Sequence, residues 1–176
     1  MQCTAPGQAI IWNLVELFWH KKHNSWRPPT LGSILGCTLV IHRDGQKHPQ
    51  CGANCLYRIL VSESAYLIWK IRCERVIQRN DNPHKLHSVK EITAKWHDTI
   101  NCRLLLDRSM TRRHFGTRAL NGLTVLSTWS GTLHDERTLP KNWLHCREVL
   151  VSIAPIIFTP VSDKWSASPT LPISTG

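Results

Sequence analysis

Apolar residues recur at helical steps from Tyr57 to Arg79, a stretch without Gly or Pro. Leu60, Ser64, Leu67 and Ile71 follow one another at spacings of four and three, and Val61, Ala65, Ile68 and Val76 widen the same side. The pattern predicts one helix over 57–79, about 35 Å long at 1.5 Å per residue, with most of its middle covered by other elements. Two polar lines run along it. Glu63, Lys70 and Glu74 form one, in which Lys70 and Glu74 have the spacing of an i, i+4 ion pair. Arg72, Arg75 and Arg79 form the other, at the C-terminal end where cations suit the helix dipole.

The flanking patterns are also helical. Ile11, Leu14, Val15 and Phe18, with Trp12 and Trp19 beside them, predict an amphipathic helix over Gln8–Lys22, ended by Pro28 and Pro29. Leu31–Ile41 is apolar throughout, and Gly32 and Gly36 suit either a closely packed helix or a buried strand. Residues 42–55 read as a polar loop. Asn80–Pro83 is a turn, after which Ser88 and Glu91 have the spacing of a capping box. Val89, Ile92, Trp96, Ile100 and Leu104 continue as a second long helix to about Asp107. Leu120, Leu123, Leu126 and Trp129 mark a further helix over Ala119–Trp129, weakened at Gly122. Beyond Gly131, Pro140, Trp143 and the run 149–158 are docking points. Residues 160–176, rich in Ser, Pro and Thr, read as disordered.

The expected fold is therefore mainly α, a small irregular helical bundle around the long central helix. A single domain over 8–153 is expected, with a disordered start at 1–7 and a disordered tail at 154–176. Trp69, Trp96 and Trp129 are expected in the core with Leu67, Ile71 and Ile100.

A formal charge of +10 on 176 residues changes the picture from fold to partners, because it favours polyanions, nucleic acid before an anionic membrane. No membrane span is expected, since the apolar run 149–158 is too short and contains Pro155. Seven cysteines, odd in number and irregularly spaced, predict reduced thiols and an intracellular setting.

Candidate chemistry is sparse. Cys51 and Cys55, with His42, His48 and Cys73 nearby, have zinc-ligand types, but a convincing second short-spaced pair is missing, so no metal and no other cofactor is expected. His84 and His87 make at most another half-site. Glu63 and Glu74 lie three helical turns apart, about 16 Å, too far to flank one scissile bond. There is no glycine-rich phosphate loop, no nucleophile-elbow serine and no carboxylate cluster for two metals, and the chain is not expected to be an enzyme. What remains is basic. Arg103, Arg108, Arg112, Arg113 and Arg118 face only Asp107 between residues 103 and 118, and together with Arg72, Arg75 and Arg79 they form a candidate phosphate-tracking surface for RNA or DNA, read without base specificity.

Ser62–Ile77, Ser-Glu-Ser-Ala-Tyr-Leu-Ile-Trp-Lys-Ile-Arg-Cys-Glu-Arg-Val-Ile, resembles the region that follows the RNase H domain in fungal non-LTR retrotransposon reverse-transcriptase proteins. Leu31–Cys37, Gly52–Asn54, Lys95-Trp96, Asp107-Arg108, Thr128–Gly131 and Leu139–Trp143 are similar to the same family in the same order, so the resemblance covers roughly residues 8–153. It implies a C-terminal accessory segment of a retroelement polyprotein, and a decayed fragment is compatible with it. Related elements carry Cys/His zinc segments in this place, but Cys55 stands where the family has a basic residue. No catalytic residue is carried over. Two functions follow as expectations: nonspecific nucleic-acid binding through the arginines, or docking on an upstream RNase H or reverse-transcriptase domain. A binder should display a contiguous arginine surface, whereas a docking module should expose a large apolar patch.

Overall fold

A computed structural model describes residues 7–80 and 82–152 of the chain. The expected disordered tail at 154–176, and all but the last residue of the expected disordered start, lie outside them. Helices α1 (Gly7–Trp19), α2 (Leu31–Leu35), α3 (Cys51–Cys73), α4 (Val89–Ser109) and α5 (Gly122–Trp129) make the fold mainly α. Among the described residues, β pairing is confined to two isolated bridges, Arg43 with Pro49 and Leu133 with Val151.

The central helix begins at Cys51, six residues before the expected start, because the loop ahead of it closes early. Asp44 Oδ1 accepts from the backbone N–H groups of Gln46 and His48, and the Asn54 side chain accepts from His42 N–H, so the turn is complete by Gln50. After Cys73 the chain continues as a π-helical turn, Glu74–Gln78, in which Arg79 N–H reaches Glu74 C=O at 3.1 Å. Asn80, at φ 49°, ends it.

Helix α4 returns antiparallel to α3, as cross-links from Glu74 to Lys95 and from Glu63 to Arg103 require. Ser88 caps it by accepting from Glu91 N–H at 3.2 Å. The Glu91 carboxylate does not complete the capping box; it takes Arg79 Nη2 at 2.6 Å instead, an ion pair stronger than a cap to a backbone amide.

One face of this hairpin is covered by α1, whose Ile11, Trp12, Val15, Phe18 and Trp19 are buried. Phe18 meets Trp96 edge-on at 5.7 Å, and the Trp96 indole donates to Ser64 Oγ at 2.9 Å. Ser64 thus occupies an apolar stripe because the indole needs an acceptor there. Helix α5 crosses α3 where a Cβ on Gly52 would fall 2.3 Å from Ser127 C=O, so glycine permits the approach. The end of α1 ties the far chain down: Lys21 Nζ donates to Ser152 C=O at 2.6 Å, and Lys22 Nζ donates to Ser127 C=O and to Thr128 C=O. A cation beside the last carbonyls of α5 is favourable.

Several expectations are corrected. Trp69 is 57 % exposed and stacks on Tyr66 with ring centroids 5.7 Å apart. At about 100° per residue, position 69 points some 160° away from both Leu67 and Ile71, so it lies opposite the stripe. Trp96, Trp129, Leu67, Ile71 and Ile100 are buried as expected. Helix α5 starts at Gly122, capped by Asn121, and turns Val125, Thr128 and Trp129 inward; Leu120 and Leu123 are exposed. Lys70 does not pair with Glu74 but lies 5.8 Å from the Tyr66 ring centroid. Leu31–Ile41 is neither a closely packed helix nor a strand but one helical turn followed by hydrogen-bonded turns, with most of its large side chains in solvent.

Candidate interaction surfaces

The eight arginines do not share one surface. Arg79 is engaged by Glu91 and by Lys85 C=O. Arg103 spans Glu63, at 3.3 Å, and the buried Asp107, at 2.9 Å. Arg108 donates to Leu144 C=O and to Cys146 C=O, which docks the segment after α5 on α4. Arg75 is half-buried on the π turn. Arg72 is exposed at the end of α3, beside the start of α4, whereas Arg112, Arg113 and Arg118 are exposed beyond its other end. With Glu74 opposite Lys95, the remainder of α4 to Ser109, roughly 20 Å, separates them. Arg112 caps a short 3-10 segment that begins at Arg113, bends at Gly116 (φ 55°) and ends at Arg118, and all three arginines are exposed.

The face of the α3–α4 hairpin away from α1 is a groove of about 450 Å³. Glu63, Tyr66 and Lys70 line it from α3, Glu74 from the π-helical turn that follows, and Lys95, Asp98, Cys102, Arg103 and Leu106 from α4. Glu74 accepts from Lys95 Nζ at 3.0 Å and is 2.9 Å from His87 Nε2, and these hydrogen bonds, His87 first, hold its carboxyl below the usual range. The sequence marked only the α3 side of this groove, as the line Glu63–Lys70–Glu74. The α4 side, Lys95, Asp98, Cys102 and Leu106, carries the same helical spacing, but its pairing with α3 depends on the hairpin.

A second surface lies on α2. Leu31 and Leu35 share one side of the turn, and Leu39 follows against Gly36; they are 74 %, 79 % and 82 % exposed. Thr30 and Ser33 fix the helix by reciprocal side-chain to backbone hydrogen bonds, a complete capping box, so these leucines are displayed on an ordered element. Ile41 nearby is also exposed.

Between α2 and α1 is a ring cluster. Trp19 contacts His23 at 4.3 Å, His42 at 4.9 Å and Tyr57 at 5.9 Å between centroids, with Trp26 at its edge. The Nε2 atoms of both histidines are buried without a hydrogen-bond partner among the described residues. Burial, with Lys22 and His42 adding smaller contributions, pushes His23 down to about 4.

Cys51 and Cys55 lie on the first turns of α3, and the six cysteines among the described residues are free thiols. Among those residues no group of three or more His, Cys, Asp or Glu side chains is placed to hold a metal ion, and no helix is long and apolar enough to cross a membrane. No family model, curated protein or solved structure matches the chain.

Proposed function

We propose that this chain is a non-catalytic interaction module of a retroelement reverse-transcriptase protein, docking through the leucines of α2 on the RNase H or reverse-transcriptase domain of such a protein. The observation that supports this reading is the display of Leu31, Leu35 and Leu39 on a capped helix, each about three-quarters exposed or more. Large apolar side chains held in water by an ordered element mark a contact surface. The resemblance of residues 62–77 supplies the partner class. The test is titration of the purified upstream domain from a protein of that class against the labelled chain. Micromolar or tighter binding is expected, reduced about tenfold or more in L35D/L39D, whose positions are too exposed to disturb the core. Absence of binding, or binding untouched by the double substitution, would discard the reading.

A second reading, nonspecific RNA or DNA binding, is favoured by one observation, the exposed group Arg112, Arg113 and Arg118. Three phosphate contacts on single strands give a salt slope near −2, so a fourfold rise in salt should weaken binding roughly twentyfold. R112A/R113A should flatten that slope by about one unit or more. Fluorescence titration of a labelled oligonucleotide at several salt concentrations reads both.

A further inference from the structure

The groove between α3 and α4 differs from the rest of the molecule in charge. Its lining carries Glu63, Glu74 and Asp98 against Lys70, Lys95 and Arg103, three of each sign, in a chain whose formal charge is +10. The excess positive charge therefore lies elsewhere, and this face is where two copies can meet with least repulsion. The signs are also ordered along the groove. Glu74 and Lys95 pair at one end, Glu63 and Arg103 at the other, and both pairs are closed within the chain. In the middle, Asp98 is exposed and in no ion pair among the described residues, while Lys70 has only the Tyr66 ring. A two-fold axis through the middle of the groove brings Lys70 of each copy to Asp98 of the other, which completes both. That is the self-complementarity an isologous contact requires.

The apolar part of the face fits the same contact. Tyr66 lines the groove beside Lys70, Trp69 stacks on it from outside the lining, both are more than half exposed, and Leu106 lies across the groove. Paired aromatic side chains displayed next to a neutral polar rim are the residue types that anchor protein interfaces. Two helices of about 30 Å, each about 10 Å wide, offer roughly 600 Å² per copy, near the lower end of what specific dimers bury.

We propose that the α3–α4 groove is a homodimer interface, closed by Lys70 of each copy on Asp98 of the other and anchored by Tyr66, with Trp69 stacked on it at the rim. It uses a different surface from α2 and holds whether or not α2 docks on a retroelement domain.

The experiment is sedimentation velocity on the full chain over about 1 to 200 μM, the range in which an interface of this size dissociates. A concentration-dependent monomer–dimer equilibrium is expected. K70E alone and D98K alone should each weaken it about tenfold or more, since every reversal acts twice across the two-fold. An equimolar mixture of K70E and D98K should restore dimer at close to the original concentration, because both cross-contacts, Glu with Lys and Lys with Asp, are then between opposite charges. W69A should weaken the dimer while leaving the far-ultraviolet helical signal unchanged. A chain that stays monomeric throughout the range overturns the proposal. So does a dimer indifferent to K70E and D98K, or one whose single variants are not rescued by mixing. Binding of an RNase H or reverse-transcriptase domain that K70E abolishes would assign the groove to that partner and overturn it equally.

Discussion

The indole N–H of Trp129 donates to Asp107 Oδ2 at 3.0 Å, and the other oxygen of that carboxylate accepts from Arg103 Nε at 2.9 Å. Asp107 is buried, so α5 is keyed to α4 through a carboxyl group that has left water with a hydrogen-bond donor on each oxygen. Asp107→Ala strands the indole N–H and releases Arg103, and should cost about 2 to 4 kcal/mol in urea unfolding. Trp129→Phe keeps most of the ring volume and removes one donor, for about 1 to 2 kcal/mol. The double variant should lose less than the sum of the two, because the groups share one contact.

Gly52→Ala tests the crossing of α3 and α5. With Ser127 C=O only 2.3 Å from the new methyl, the helices must part, at a cost of about 1 to 3 kcal/mol despite the better helix propensity of alanine. Gly122→Ala is the control, since its Cβ would meet only the Leu144 Cδ1 end at 3.1 Å, a flexible side chain that can give way. Thermal unfolding should lower Tm clearly for the first and leave it nearly unchanged for the second.

Acid should loosen the ring cluster at the end of α1. His23 is held at about 4, below its ordinary 6.5, and burial lowers His42 and His97 in the same direction. The unfolded chain therefore takes up protons first as pH falls. Stability from these groups is complete above about 6.5 and declines as pH falls towards 4, where His23 titrates in the folded state. Tm measured between pH 7.5 and 4.5 should fall, and His23→Phe should flatten that dependence. A Tm that rises on acidification would contradict the sign.

Trp69 and Trp96 should separate cleanly. Trp96 is buried against Phe18 and bonded to Ser64, and its replacement by Ala should cost about 3 to 5 kcal/mol. Trp69→Ala removes a ring that is 57 % exposed and should cost about 1 kcal/mol or less in the monomer, read by urea unfolding at low protein concentration.

What was legible in the sequence was what local periodicity governs. Ile92, Trp96, Ile100 and Leu104 predicted the buried side of α4, and Ser88 its start, because both depend on residues within a turn or two. The beginning of α3 was not legible: Gly52 reads as loop, and its reason for being in a helix is a carbonyl of α5. The arginines were visible in number but not in place. Whether Arg103 and Arg108 face solvent or a buried partner is decided by Asp107, Leu144 and Cys146 through tertiary contacts. Leu31–Leu39 showed its apolar character, but only the fold shows which apolar residues are left uncovered. The groove was half visible, since helical spacing marks each wall and not their apposition.

The clasp of Lys21 on Ser152 joins positions 131 residues apart, and that of Lys22 on Ser127 joins positions 105 apart. On a ribosome adding about 5 to 20 residues per second, α1 therefore emerges some 7 to 26 s before its last anchor exists. For that interval Trp12, Phe18 and Trp19 have no finished cover, and the nascent chain presents them to whatever binds apolar segments in the cell. Slowing elongation after α1 should then lower the yield of folded protein, whereas the same delay placed after Ser152 should have no effect.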